Sequence, residues 1–189
     1  MSDEPRPVVS PTAELRQFKS SREEFVQKPR LPIRVILDRV SQAYNIGAIF
    51  RLCDAMLAEH LVIAGLEAEV DLRKRNLAQA ACGAQFWTPW SQAKSAREAV
   101  LAARAEGYQI AAVELASHSV RPEAFEPKFP LCLVLGGEFS GVGQEVVDLA
   151  DAVIEIPMRG MVNSVNVATA AAIVLYGLAA RAEAAMSRE

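Results

Sequence analysis

Three short stretches combine residue types that could do chemistry. In the first, Asn45-Ile46-Gly47-Ala48-Ile49-Phe50-Arg51, Gly47 and Arg51 stand four apart, so a helix places them on one side. Asn45 suits the N-cap of that helix. A glycine one turn before the arginine leaves room for a bulky group beside the guanidinium, and a helix start favours an anion. A phosphate clamped by the arginine fork would fit there. A surface pair of Arg51 with Asp54, and a glycine chosen for helix packing, would fit the same residues, and this stretch alone leaves both open.

The second stretch runs from an apolar segment into Leu135-Gly136-Gly137-Glu138, with further glycines at 141 and 143. Glycines there let a ligand approach the backbone. Glu138 could orient a ligand, accept a proton or cap a turn. The spacing is neither G-x-G-x-x-G nor a P-loop, which argues against a dinucleotide-binding oxidoreductase. The third stretch is Ile156-Pro157-Met158-Arg159-Gly160 through Asn163-Ser164-Val165-Asn166. Its polar cluster precedes an Ala-rich apolar helix, and N-capping accounts for one of Asn163, Ser164 and Asn166 but not all three. A binding loop accounts for more.

The elements that must carry these stretches alternate. Strands are expected at 33–38, 61–65, 109–115, 131–136 and 152–156, with a weaker one near Phe86–Trp90. Helices are expected at 46–58, 73–81, 92–106, 143–149 and 164–184, and a short one at 12–27 ahead of Pro29 and Pro32. The runs at 110–113 and 131–135 are apolar on both faces, as parallel strands covered by helices require. The expected class is therefore α/β, a three-layer sandwich around a mostly parallel sheet, with ligands beyond the carboxyl ends of its strands. Residues 1–30 read as an N-terminal extension and 31–189 as one domain.

The chain has 189 residues, 51% of them hydrophobic, 23% charged, and a net charge of −3. This excludes a disordered chain, a collagen and a rod. A bulk basic coat for nucleic acid is absent, but residues 1–34 hold seven basic and five acidic residues, so any such contact needs a local patch that could include this segment. No uninterrupted apolar run reaches the ~18 residues of a membrane span. No apolar core follows Met1–Pro11, so a cytoplasmic address is expected. Cys53, Cys82 and Cys132 are scattered and expected to be reduced and interior; with His60 and His118 apart, no metal site is indicated. Trp87 and Trp90 could stack on bases but suit packing better, and His118 suits an exposed position.

Taken together and in this order, Asn45-x-Gly47-x-x-x-Arg51, Leu133-Val-Leu-Gly-Gly-Glu138 and Ile156-Pro-Met-x-Gly160 with Ser164-Val-Asn166-Val resemble the SpoU (TrmH-like) family of RNA ribose methyltransferases. Val113-Glu114-Leu115 with Ser119 is similar to a weaker intermediate motif of that family. The resemblance covers most of residues 33–178. It implies a deep C-terminal trefoil knot, a homodimer with the active site near its interface, S-adenosylmethionine as methyl donor, and a ribose 2′-hydroxyl in tRNA or rRNA as acceptor, tRNA being favoured. It implies Arg51 as the catalytic arginine, with Asn45 beside it at the substrate phosphate and Glu138, Ser164 and Asn166 completing the polar site. It implies cofactor contacts from Leu115, Gly136, Ile156, Met158, Ser164 and Val165. The chain departs from the family pattern at Phe139–Val142, Val165, Ala168-Thr169 and Gly177, none of which removes a polar catalytic side chain. Two other readings fit the same fold: a silent RNA-binding protein and a knotted enzyme that methylates a base nitrogen.

Overall fold

A computed structural model describes residues 20, 21, 24, 25 and 27–187. Six strands, β1 (Leu31–Asp38), β2 (Ala58–Ala64), β3 (Trp90–Ala93), β4 (Gln109–Val113), β5 (Leu131–Gly136) and β6 (Ala152–Ile154), form one sheet in the order β3-β2-β1-β5-β4-β6. Every pairing is parallel. Among the described residues the named helices are α1 (Ala43–Ala55), α2 (Arg75–Ala81), α3 (Ala96–Ala105), α4 (Gln144–Val147) and α5 (Val167–Met186).

Side chains of successive strand residues go to opposite faces, and the core divides accordingly. Ile33, Val35 and Leu37 of β1 and Leu131, Leu133 and Leu135 of β5 meet Ile46, Ile49 and Phe50 of α1, Leu77 of α2, and Val174, Leu175 and Leu178 of α5. Ile36, Cys132 and Val134 face the other way, onto Ala99, Val100 and Ala103 of α3 and Val146 of α4. Helices therefore cover both faces of the sheet, giving three layers. The sheet is parallel throughout because every return from a strand end passes through a helix or long connection.

Boundaries differ from expectation for local reasons. The weak strand lies at 90–93, while Ala84–Phe86 is a turn of 3₁₀-helix. Pairing with β2 draws Gln92 and Ala93 into the sheet, so α3 starts later, at Ser95, whose hydroxyl accepts the Glu98 N–H at 3.1 Å. The helix expected at 12–27 lies mostly outside the described residues; within it, Ser21 and Glu24 cap each other reciprocally. Trp90 packs edge-on against Phe50 at 5.8 Å. By length and composition α5 is apolar enough to cross a membrane, since Thr169, Gly177, Arg181 and Glu183 interrupt its run without making it polar. One face of α5 is core, with Val174, Leu175 and Leu178 buried against the sheet.

Candidate active site

β4, β5 and β6 end beside one another, and their carboxyl ends open into a cleft of about 290 Å³. Its apolar walls are Leu135, Ile154, Ile156 and Val167; its polar groups include Glu114, Glu138, Asn163 and Ser164. All six residues expected at a cofactor line it: Leu115, Gly136, Ile156, Met158, Ser164 and Val165. They come from three connections far apart in sequence, and the parallel register of β4 with β5 and β6 brings them level.

The loop after β5 is held from two sides by carboxylates. Asp38, at the end of β1, accepts the Gly143 N–H at 2.9 Å, and its backbone carbonyl accepts the Gly137 N–H at 2.8 Å. Burial pushes the Asp38 carboxyl above its ordinary range. Glu114, just past β4, accepts the Val142 N–H at 2.8 Å and the Leu115 N–H at 2.9 Å. The glycines serve this folding back of the loop. A Cβ on Gly136 would lie 2.0 Å from the Gly141 carbonyl carbon, and one on Gly137 would lie 2.5 Å from the Arg39 oxygen. At both positions the neighbour that needs glycine is the chain's own backbone, where the sequence suggested a ligand.

Across the loop mouth runs a chain of side-chain hydrogen bonds. Asn166 is the N-cap of α5, its Oδ1 accepting the Ala168 N–H at 2.9 Å. Its Nδ2 donates to Asn45 Oδ1 at 3.0 Å. Asn45 Nδ2 donates in turn to Glu138 Oε1. Asn45 is only 2% exposed, so its amide has no water to fall back on. It is not the N-cap of α1: Gln42 precedes the helix, and Asn45 sits in its first turn, where its side chain is free for this bridge. Asn163 and Ser164 are exposed at the cleft and make no side-chain hydrogen bond among the described residues, so their polar groups are available to a ligand.

Arg51 does not join this cluster. It is exposed on α1, outside the cleft, and its Nη1 donates to Cys82 Sγ at 3.4 Å. Gly47 makes no space beside it: a Cβ there would sit 2.3 Å from the Leu77 carbonyl oxygen, so the glycine exists to let α2 pack on α1. Cys82 is likewise exposed, contrary to the expectation of three interior thiols; Cys53 and Cys132 are buried. His118 is exposed. The residues that sequence reasoning missed are Asp38 and the clamping role of Glu114. Both are lone carboxylates at or just after the end of an apolar strand, which is the signal that could have found them.

The chain matches the model of the SpoU rRNA Methylase family over residues 32–176 and belongs to that family. It is 33% identical over 155 residues to a tRNA (guanosine(18)-2′-O)-methyltransferase of Escherichia coli K12, covering 81% of this chain and 65% of that protein. To the enzyme of the same name from Aquifex aeolicus it is 32% identical, covering 81% and 71%. Among solved structures it superposes on the A. aeolicus TrmH/SpoU tRNA modifying enzyme with a TM-score of 0.73 at 30% identity, covering 85% and 80%. It superposes on the AdoMet-bound rRNA methyltransferase from Sinorhizobium meliloti with 0.71 at 29%, covering 82% and 61%. The chain thus spans just under two thirds of the E. coli relative's length.

Proposed function

We propose that this protein transfers a methyl group from S-adenosylmethionine to a ribose 2′-hydroxyl of RNA, with tRNA the favoured substrate. The observation that carries this is the cleft beyond β4, β5 and β6, whose wall residue Glu138 is held by Asn45 and through it by Asn166, in a chain of the SpoU family. Relatives named for tRNA ribose methylation support the tRNA preference.

The cleft suits the proposed donor. Its apolar walls match an adenine and a methionine side chain, and the unpartnered Asn163 and Ser164 match ribose and amino-acid polar groups. When bound, the donor supplies an electrophilic methyl on a sulfonium. The protein's own residues position the acceptor. Holding two reactants in line supplies about 7–11 kcal/mol of barrier lowering. A guanidinium keeps its protons, so Arg51 acts by clamping the substrate phosphate and stabilising the developing alkoxide, while the hydroxyl proton leaves to solvent as the oxygen takes the methyl from the sulfonium. A second reading, in which Glu138 takes the hydroxyl proton, is favoured by its place on the cleft wall.

For Arg51 to meet the cleft, two copies must come together, one copy's arginine serving the other's cleft. Exposed apolar side chains on the neighbouring helices α1 and α5, Tyr44 at 61%, Ile173 at 45% and Tyr176 at 68%, support a homodimer through that face. The trefoil knot and a contact of residues 1–30 with RNA belong to the same proposal.

The test uses purified protein, methyl-labelled S-adenosylmethionine and unmodified bulk tRNA and rRNA offered separately, with the product digested to nucleosides. Label in a 2′-O-methyl nucleoside from tRNA is expected. Label on a base would move the protein to a base-methylating class. Neither label nor cofactor binding would leave a silent RNA-binding protein.

A further inference from the structure

The connection between β2 and α2 carries its charge in two halves. Glu67, Glu69 and Asp71 come first, then Arg73, Lys74 and Arg75. Leu66, Val70 and Leu72 pack against the core and fix the path, which leaves the charged residues outside. The acidic half is tied to the edge strand: Gln92 of β3 donates to the Ala68 carbonyl at 2.9 Å and accepts the Val70 N–H at 3.1 Å. One oxygen of Asp71 accepts the Arg73 N–H at 2.9 Å. The basic half leads into α2, with Arg73 in the turn before it, Lys74 at its N-cap and Arg75 its first residue, and α2 is seated on α1 through Leu77 and Gly47. Arg73, Lys74 and Arg75 are all exposed, and none makes an ion pair among the described residues.

Position gives this run its meaning. α2 leads from Arg75 to Cys82, whose sulfur lies 3.4 Å from Arg51 Nη1. Seven helical residues span about 10 Å. That is roughly the length of three stacked nucleotides at ~3.4 Å each. Arg73, Lys74 and Arg75 thus stand at one end of α2 and Arg51 beside the other, in a chain whose net charge is −3, and Arg51 is the residue that clamps the acceptor's phosphate. Phe86, four residues past Cys82, is exposed and offers a ring on which a base can stack.

Resting on the RNA-methylation reading, we propose that Arg73, Lys74 and Arg75 are the phosphate-binding surface that docks the substrate RNA and leads its strand to Arg51. The run acts through side-chain charge, and the acidic half held toward β3 keeps the strand on the α1 side by repulsion. The surface is separate from the cleft, so it governs RNA affinity and not cofactor affinity.

The experiment measures binding of the full chain to unmodified bulk tRNA across a salt series, with cofactor affinity measured beside it. The proteins are wild type, R73Q/K74Q/R75Q, K74Q alone, and E67Q/E69Q. Each lost phosphate contact lowers the steepness of log affinity against log salt by about 0.7–0.9. The triple variant is expected to lose at least about tenfold in affinity at low salt and about 2–3 in slope, with cofactor affinity unchanged. E67Q/E69Q is expected to bind tRNA as tightly as wild type or tighter. Unchanged slope and affinity in the triple variant overturn the proposal. If the triple variant loses cofactor affinity as well, K74Q decides: a slope shallower by about 0.7–0.9 upholds the surface, and an unchanged slope overturns it. A wild type that binds cofactor but neither binds nor methylates any RNA overturns the underlying reading, and this proposal with it.

Discussion

Asn45 shows how much one buried side chain can decide. Its amide links Glu138 on the loop after β5 to Asn166 at the head of α5, and its 2% exposure leaves no solvent to replace either bond. Asn45→Ala removes both bonds, and the exposed Asn166 and half-buried Glu138 can turn to water instead. A destabilisation of about 1 kcal/mol is expected in urea titration. Methyl transfer should drop about 10²-fold as the cleft mouth shifts. Asn45→Asp sets a second carboxylate against Glu138, so its activity loss should ease at acid pH, where the two share a proton, and a pH–rate profile reads this directly. The three thiols divide equally sharply. Burial pushes Cys53 and Cys132 up to about 12, so they stay as thiols, while Cys82 is exposed beside Arg51. Folded protein should take up one equivalent of alkylating reagent, at Cys82 by mass spectrometry, and three after unfolding. At this scale the sequence showed which polar residues matter, because unusual types stood at strand ends. It could not show which of them touch: the Asn45–Glu138 and Asn45–Asn166 pairs span 93 and 121 residues, and only the register of the sheet joins them.

Among the elements, α1 and α2 carry the clearest dependence on one position. With Leu77's carbonyl 2.3 Å from where a Cβ would stand, Gly47→Ala must push α2 away from α1. Overpacking of this kind costs about 1–3 kcal/mol, against a small gain in helix propensity, so a net loss of stability is expected by denaturation. A pH effect belongs to the β2–β3 edge. His60 on β2 is held below its ordinary pKa, first by burial and then by the Arg34 charge, while a ring nitrogen lies 2.9 Å from the Ser91 hydroxyl on β3. Between its lowered folded value and about 6.5, the unfolded chain binds the proton more readily. Stability therefore falls as pH drops through that window, and the melting temperature should fall less steeply there in His60→Gln. Strand and helix order was legible because buried parallel strands read as apolar runs and helices as apolar periods. The edges were not. Whether residues 84–93 become 3₁₀ turn or strand depends on pairing with β2, and the choice between helix packing and ligand room at Gly47 stayed open because its neighbour, α2, lies some 30 residues on.

At the scale of the whole molecule, the exposed position of Arg51 outside the cleft makes a quantitative demand. If one copy's arginine completes the other's cleft, a site needs Asn45 from one chain and Arg51 from its partner. Arg51→Ala and Asn45→Ala each break both sites of their own homodimers, so each preparation alone should be nearly inactive. Mixed by unfolding and refolding together, half the dimers are heterodimers. In these, the Arg51→Ala chain keeps an intact cleft mouth, and the Asn45→Ala chain lends it an arginine. One of the two sites is then whole, and a symmetric dimer predicts that the mixture recovers roughly a quarter of wild-type activity. An arginine serving its own chain's cleft predicts none, because neither chain then holds both residues. The exposed apolar residues of α1 and α5 supply a second readout. Tyr44→Glu with Tyr176→Glu places charges on the face proposed to be shared, and should give monomers in analytical ultracentrifugation that keep cofactor affinity and lose methyl transfer. A monomer that still methylates RNA at the wild-type rate would return Arg51 to its own chain's site.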